Sequence, residues 1–116
     1  RCTQCRRVTE NRDVPIAILP LCSNCNGLLR PHIVWFGEAL AEQDLDASEA
    51  ALQSSDLCLI IGTSGLVYPA AGFGSSAKQA GAFVVEINLD ATAQSGIVDA
   101  ALQGRAKDIV PLLLQA

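Results

Sequence analysis

The chain has 116 residues, of which half are apolar and 17% are charged, and its formal net charge at pH 7 is −4. This length is enough for one domain with a substantial core, and the apolar content excludes a chain that is disordered throughout. The net negative charge argues against nucleic acid as a main partner. The longest apolar runs, residues 57–61 and 110–114, are far shorter than the ~20 residues that span a bilayer, so no membrane partner is expected.

The beginning of the sequence lies inside a cysteine motif, at Arg1-Cys2, and the sequence contains no methionine. We therefore expect the chain to be part of a longer protein. No positively charged segment followed by an apolar one opens the sequence, which favours a cytoplasmic location.

Residues 1–32 contain four of the five cysteines, arranged as Cys2-x-x-Cys5 and Cys22-x-x-Cys25. Two such pairs supply the four sulfurs of a tetrahedral zinc site. Because all four ligands come from protein, no position stays open for water or substrate, and the predicted ion is structural. Two disulfides are the alternative, which is disfavoured because the sequence shows no secretory signal. The fifth cysteine, Cys58, is predicted to be a core residue of low reactivity.

After residue 32, strand-like and helix-like segments alternate. We predict strands at 33–36, 57–61 and 83–87, and helices at 40–54, 70–80 and 108–115. The strand at 57–61 is continuously apolar, which is typical of a strand buried on both faces. Pro69 and Gly81 fit the two ends of the second helix, and Pro111 fits only the first turn of the third. Strands that alternate with helices predict an α/β fold with a parallel sheet.

Small and polar residues follow two of these strands. Gly62-Thr63-Ser64 comes directly after the strand at 57–61, and Asn88-Leu89-Asp90 comes after the strand at 83–87. Ligands of open α/β sheets bind beyond the carboxyl ends of the strands, where small residues let a nucleotide approach the backbone. Each segment alone is a weak signal, because such turns also simply reverse the chain. Together they suggest a dinucleotide site.

In this order, the motifs resemble the sirtuins, a family of NAD-dependent protein lysine deacylases. The matching stretches also include residues 27–38 (GLLRPHIVWFGE), 61–64 (IGTS), 67–71 (VYPAA) and 85–88 (VEIN). With Trp35 and Tyr68 at these positions, the sequence most resembles the short bacterial and mitochondrial-type branch of the sirtuins, class III. This branch is linked with acidic acyl groups such as succinyl and malonyl. The resemblance implies a zinc-binding small module at residues 1–32 and the C-terminal part of a Rossmann-like NAD-binding domain at residues 33–116.

The resemblance also assigns roles to residues of this chain. Cys2, Cys5, Cys22 and Cys25 would hold one structural zinc ion. The residues that would bind NAD are Gly62, Thr63, Ser64, Asn88, Leu89, Asp90 and Ala106. Val34, Glu38 and Tyr68 would make main-chain contacts to an acyl-lysine peptide that is held as an added strand.

In sirtuins the acyl oxygen of the substrate attacks the nicotinamide ribose of NAD, nicotinamide is released, and the acyl group ends on ADP-ribose. The histidine that acts as general base lies shortly before the first zinc cysteine, so the resemblance places it before Arg1 and implies that the chain by itself turns over no NAD. His32, the only histidine, matches a different position and is not predicted to be catalytic. Glu86 is predicted to face solvent or to pair locally.

Two other functions stay open at this point. A zinc-ribbon binding module would explain the cysteines, but a ribbon needs no parallel sheet downstream. An NAD-dependent protein ADP-ribosyltransferase would use the same cofactor, and the residues that distinguish it would lie before Arg1.

Overall fold

The computed structural model describes residues 1–115. The chain separates into two units, Arg1–Leu40 and Ala41–Ala116. The boundary predicted after residue 32 lies within the first of these units and stays a prediction.

The first unit is held together by short backbone pairings. Antiparallel bridges join Cys2 to Leu29 and Leu21 to Leu28. The prediction of a strand at 33–36 is wrong, since Ile33 lies in a bend, Phe36 lies in a turn, and the two residues between them have no regular structure. The reason is local bonding: the N–H of Glu38 donates to the carbonyl of Trp35 at 3.0 Å, which closes a turn instead of leaving both groups for a neighbouring strand.

The second unit is an α/β structure with a three-stranded sheet. Its elements are α1 Glu42–Ser54, β1 Leu57–Ile61, α2 Ala70–Gln79, β2 Phe83–Asn88, β3 Ala100–Gln103 and α3 Ala106–Leu113. All strands are parallel, in the order β1-β2-β3, so the predicted fold class is confirmed. The strand β3 was not predicted, because its four residues (AALQ) include no β-branched or aromatic side chain.

The strand β1 is not buried on both faces, contrary to the prediction. Leu57, Leu59 and Ile61 are between 41% and 54% exposed. The alternate residues, Cys58 and Ile60, pack instead against a small core formed by Ala77, Ala82 and Val84. Among the described residues β1 is an edge strand whose inner face contacts α2, so the apolar run serves one face of the sheet only.

The helices differ from the prediction mainly at their ends. The helix α2 begins directly after Pro69 and ends before Gly81, whose φ is +102°. Pro111 is the sixth residue of α3, beyond the first turn where it was expected. Proline lacks the N–H that would donate to the carbonyl of Lys107, so α3 loses one backbone hydrogen bond, and it continues for only two more residues. Among residues 1–115, no helix has the length and apolar content needed to cross a bilayer.

Removing packing atoms from this small core should be costly. We expect Val84→Ala, at a side chain that is 1% exposed, to lower the free energy of unfolding of the second unit by about 2 kcal/mol, because two buried methyl groups are lost. Val14→Ala is the matched control, because Val14 is 95% exposed and the same change should cost less than about 0.5 kcal/mol. Equal losses in chemical denaturation would contradict this assignment of the core.

Candidate functional site

Four cysteine sulfurs meet in the first unit. The Sγ atoms of Cys2, Cys5, Cys22 and Cys25 all lie within 4.8 Å of one another. Those of Cys2 and Cys25 are 3.5 Å apart, and those of Cys5 and Cys22 are 3.7 Å apart. Four sulfurs at ~2.3 Å from a zinc ion are about 3.8 Å from each other, whereas a disulfide joins two sulfurs at ~2.0 Å. The cluster is therefore compatible with one structural zinc ion.

The two CxxC turns are built in the same way. The N–H of Cys2 donates to the carbonyl of Arg7 at 2.9 Å, and the N–H of Cys22 donates to the carbonyl of Gly27 at 2.8 Å. The residues directly after the two turns, Arg6 and Asn26, adopt a left-handed backbone conformation, with φ of 60° and 56°. This repeated backbone arrangement directs both pairs of thiols toward one point.

The thiols of the cluster influence each other's deprotonation. The N–H of Arg7, and then the thiol of Cys25, lower the pKa of Cys5 to about 6. The N–H of Gly27 lowers the pKa of Cys25, but the neighbouring thiols outweigh it and raise that pKa to about 11. Four thiolates this close together need a cation between them. The donor set therefore fits Zn²⁺, which prefers sulfur ligands in structural sites.

The carboxylate of Glu38 is engaged by its own unit. It accepts hydrogen bonds from both terminal nitrogens of Arg30, the second at 3.0 Å, and from the N–H of Trp35 at 3.1 Å. The Arg30 guanidinium also lies 3.7 Å from the centre of the Trp35 ring and donates to the carbonyl of Ile33 at 3.1 Å. These contacts fix the turn at residues 33–38. The predicted substrate contact of Glu38 uses its main chain, whose N–H donates to the carbonyl of Trp35 in this conformation, so that N–H is not free for a peptide strand.

The parallel pairing of β1 and β2 brings the two predicted nucleotide segments together. The N–H of Gly62 donates to the carbonyl of Ile87 at 3.0 Å, so both strands end at the same edge of the sheet. Beyond that point, the Asn88 side-chain amide donates to the carbonyl of Thr63 at 2.7 Å. The N–H of Gly104 donates to the carbonyl of Asn88 at 2.8 Å, which adds the end of β3 to this edge.

A cleft of about 290 Å³ opens at this edge. Its lining residues are Gly62, Ile87, Asn88, Leu89, Gly104, Arg105 and Ala106. The cleft thus combines residues from three separate segments of the chain. Four of these residues were predicted to bind NAD: Gly62, Asn88, Leu89 and Ala106. Three further lining residues were not predicted: Ile87, Gly104 and Arg105. Gly104, which lies just before the last helix, could have indicated that this loop lines the cleft.

The other predicted NAD-binding residues lie beside this cleft. Thr63 and Ser64 continue the loop after β1 and are both exposed. Asp90 lines a neighbouring cavity of about 290 Å³, which Asn88 also lines. Whether these residues contact NAD stays a prediction.

The predicted substrate-binding residues fall in different units. Val34 belongs to the first unit and is 47% exposed, while Tyr68 lies in the loop after β1 of the second unit and is 78% exposed. Their role as peptide-binding residues stays a prediction.

Glu86 does not face solvent, so that part of its prediction is wrong. Its side chain is 2% exposed and accepts hydrogen bonds from the hydroxyl groups of Thr92 and Ser95, so the predicted local pairing is confirmed. The segment that follows β2 folds back over Glu86, which strand periodicity could not reveal. The same segment carries Gln94, a 7% exposed amide that no sequence motif indicated.

Cys58 is the cysteine outside the cluster. Burial raises the pKa of its thiol. Because the thiolate is the reactive form, this agrees with the predicted low reactivity.

Comparison with known proteins identifies the family. A sequence model of the Sir2 family matches residues 1–69, more than half of the chain, and the chain therefore belongs to the Sir2 family. The NAD-dependent protein deacylase 2 of Pyrobaculum aerophilum is 46% identical over 116 residues, which cover 99% of this chain and 46% of that protein. The predicted resemblance to sirtuins is confirmed.

Solved structures agree with this assignment. A Sir2 homolog in complex with NAD superimposes with a TM-score of 0.90 at 37% identity, covering 99% of this chain and 45% of the other. Sir2Tm bound to a propionylated peptide gives a TM-score of 0.76 at 30% identity, covering 84% and 41%. The chain spans about half the length of the relatives that it matches.

The ion pair of Glu38 should be visible in its titration. The hydrogen bonds from Arg30, then the N–H of Trp35, hold the pKa of Glu38 at about 2, well below the usual range. Since the folded pKa is depressed, the stabilisation is complete above pH ~4.5 and is lost as the pH falls toward 2. We expect Arg30→Met to move the titration of the Glu38 carboxyl carbon, followed by NMR, upward toward pH ~4.3.

Arg12→Met is the control for this titration, because among residues 1–115 the ion pair of Arg12 is with the exposed Glu10 and not with Glu38. It should leave the Glu38 midpoint unchanged. An ordinary Glu38 midpoint in the unsubstituted protein would show that the ion pair does not form in solution.

Proposed function

We propose that the protein is an NAD-dependent protein lysine deacylase that transfers the acyl group of a modified lysine to ADP-ribose and releases nicotinamide. The observation that carries this proposal is the cleft in which Gly62, Asn88 and Ala106 meet at the carboxyl ends of parallel strands. That is the edge where open α/β sheets bind nucleotides. Membership of the Sir2 family and the NAD complex of a structural relative support it.

Within this proposal, the cleft binds the nucleotide through backbone and polar groups. Gly62 has a φ of +64° and no side chain, which lets a ligand approach the backbone there. Asn88 and Asp90 offer amide and carboxylate groups to ribose hydroxyls. Arg105 directly precedes α3 and supplies positive charge on the cleft wall, where it would favour the pyrophosphate.

The zinc ion would be structural. Cys2, Cys5, Cys22 and Cys25 would fill its four coordination positions, so none is left for water or substrate. When bound, the ion would offset two of the four thiolate charges and tie the two CxxC turns together, and its role would be structural.

The proposed substrate is an acyl-lysine peptide bound in extended form. Val34 would offer main-chain groups, and Glu38 its carbonyl, from the turn that Arg30 fixes, and Tyr68 would offer main-chain groups from the loop after β1. A structural relative is bound to a propionylated peptide, which supports a peptide ligand. Main-chain bonding of this kind accepts many sequences.

Zinc content tests the metal site. We expect about one zinc ion per chain by elemental analysis, because the four-thiol cluster has one centre. Cys22→Ser should reduce the zinc content strongly and unfold the first unit, while Cys58→Ser, outside the cluster, should leave it unchanged. Recovery of two disulfides and no metal would refute the zinc site.

Turnover tests the activity. The gene product that carries this chain should convert NAD, water and an acylated peptide to nicotinamide, O-acyl-ADP-ribose and the deacylated peptide, measured by mass spectrometry. We expect Asn88→Ala to weaken NAD binding about tenfold or more, because it removes a polar group of the cleft and its bond to Thr63. Asn11→Ala is the control, since Asn11 is exposed in the other unit.

The same assay separates the alternatives. A gain of ADP-ribose on the peptide, in place of acyl loss, would establish the ADP-ribosyltransferase reaction. Absence of NAD binding would favour a zinc-ribbon module. A cytoplasmic location is part of the proposal and rests on the sequence.

A further inference from the structure

The side chain of Gln94 reaches from the segment after β2 into the loop after β1. Its Nε2 donates to the carbonyl of Ala71 at 2.9 Å and is 3.3 Å from the carbonyl of Gly65, to which it also donates. Ala71 is the second residue of α2, and Gly65 lies in the loop before it. One buried amide group therefore ties the two ends of the segment 65–71 to each other.

The two partners determine which way the amide points. Both are carbonyl oxygens, so only the NH₂ group of Gln94 can face them, and a carboxylate at this position would be repelled. The position thus requires a donor, which few side chains of this length supply.

Gly65 and Gln94 also fit each other sterically. Gly65 has a φ of +64°, and a Cβ built there would lie 2.6 Å from Cγ of Gln94. The glutamine stem therefore packs directly against the glycine backbone, so a shift of either residue is transmitted to the other.

A buried hydrogen-bond network holds the base of this side chain in place. The N–H of Gln94 donates to the hydroxyl oxygen of Thr92 at 3.0 Å. That hydroxyl group donates to the carboxylate of Glu86, and Ser95 donates to the other carboxylate oxygen. The amide is thereby connected to the middle of β2, the most buried strand of the unit.

We propose that Gln94 is a positioning residue that holds the segment 65–71 in its binding conformation. The segment carries Tyr68 and directly follows Thr63 and Ser64, so its position affects both the peptide and the nucleotide contacts. The inference rests on the proposed function for its consequence, but the structural link itself can be tested separately. Gln94 acts through the loop and is not assigned any contact with the reacting groups.

Hydrogen exchange tests the structural link on the chain itself. We expect Gln94→Glu, which keeps the shape but removes the donors, and Gln94→Met, which removes them without adding charge, to speed exchange at Ala71 and Gly72 about tenfold. Exchange within β2 should stay unchanged. Gln79→Glu is the matched control, since Gln79 is exposed at the end of α2.

Unchanged exchange at Ala71 and Gly72 in folded variants would overturn the inference, and so would equal acceleration throughout the second unit. Should both variants fail to fold, Gln94→Asn decides, because it keeps an amide but withdraws it by one methylene. Protected Ala71 and Gly72 in that variant would overturn the inference, and selective exposure would support it.

Kinetics test the functional consequence. In the active gene product, Gln94→Met should raise KM for the acyl peptide and for NAD about tenfold while kcat stays within about twofold. General destabilisation would instead reduce the active fraction, and hence kcat, at constant KM. A lower kcat with unchanged KM would therefore overturn the positioning role. A protein without deacylase activity would refute the proposed function, while the exchange experiment would still decide the structural link.

Discussion

The parallel pairing of β1 with β2 is the constraint on which the candidate nucleotide site depends. In the observed register, Ile61 lies opposite Ile87, so Gly62, the first residue after β1, lies beside Asn88, the last residue of β2. A slip of one residue would reverse the face to which each side chain of β2 points. The Asn88 amide would then lose its bond to Thr63, and the buried Glu86 would turn away from its hydroxyl partners. The register thus sets both the cleft and the polar network behind it.

The two units are stabilised in different ways. In the second unit apolar side chains from α2, β1 and β2 form a core. In the first unit, residues 1–40, the only buried hydrophobic side chains are those of Cys2 and Cys22, while Val14 and Ile18 are each 95% exposed. The cysteine cluster takes the place of a core there, so binding of a metal ion at the cluster would be part of folding. This explains why a segment with so little apolar burial can hold the turn at 33–38 through Arg30 and Glu38.

The sequence predicted those features that depend on local spacing. The CxxC pairs indicated the four-cysteine cluster. The small residues after two strands indicated the loops that meet at the carboxyl ends of β1 and β2. It failed where tertiary contacts decide: β3 is too short and too weak in strand preference to be recognised, and the run at 33–36 forms a turn because Arg30 and Glu38 bind it. The burial of Glu86 and the reach of Gln94 arise from the folding of residues 91–98 over the sheet, which has no periodic signal. The apolar run of β1 overstated its burial because, among the described residues, α2 covers only one face of the strand and leaves Leu57, Leu59 and Ile61 exposed on the other.

A crystal structure of the protein with NAD bound would locate the nucleotide directly. We expect the nucleotide to lie across the carboxyl ends of β1 and β2, with one ribose near Asn88 and the pyrophosphate near Gly62 and Arg105. A nucleotide bound elsewhere, with this cleft empty, would contradict this expectation.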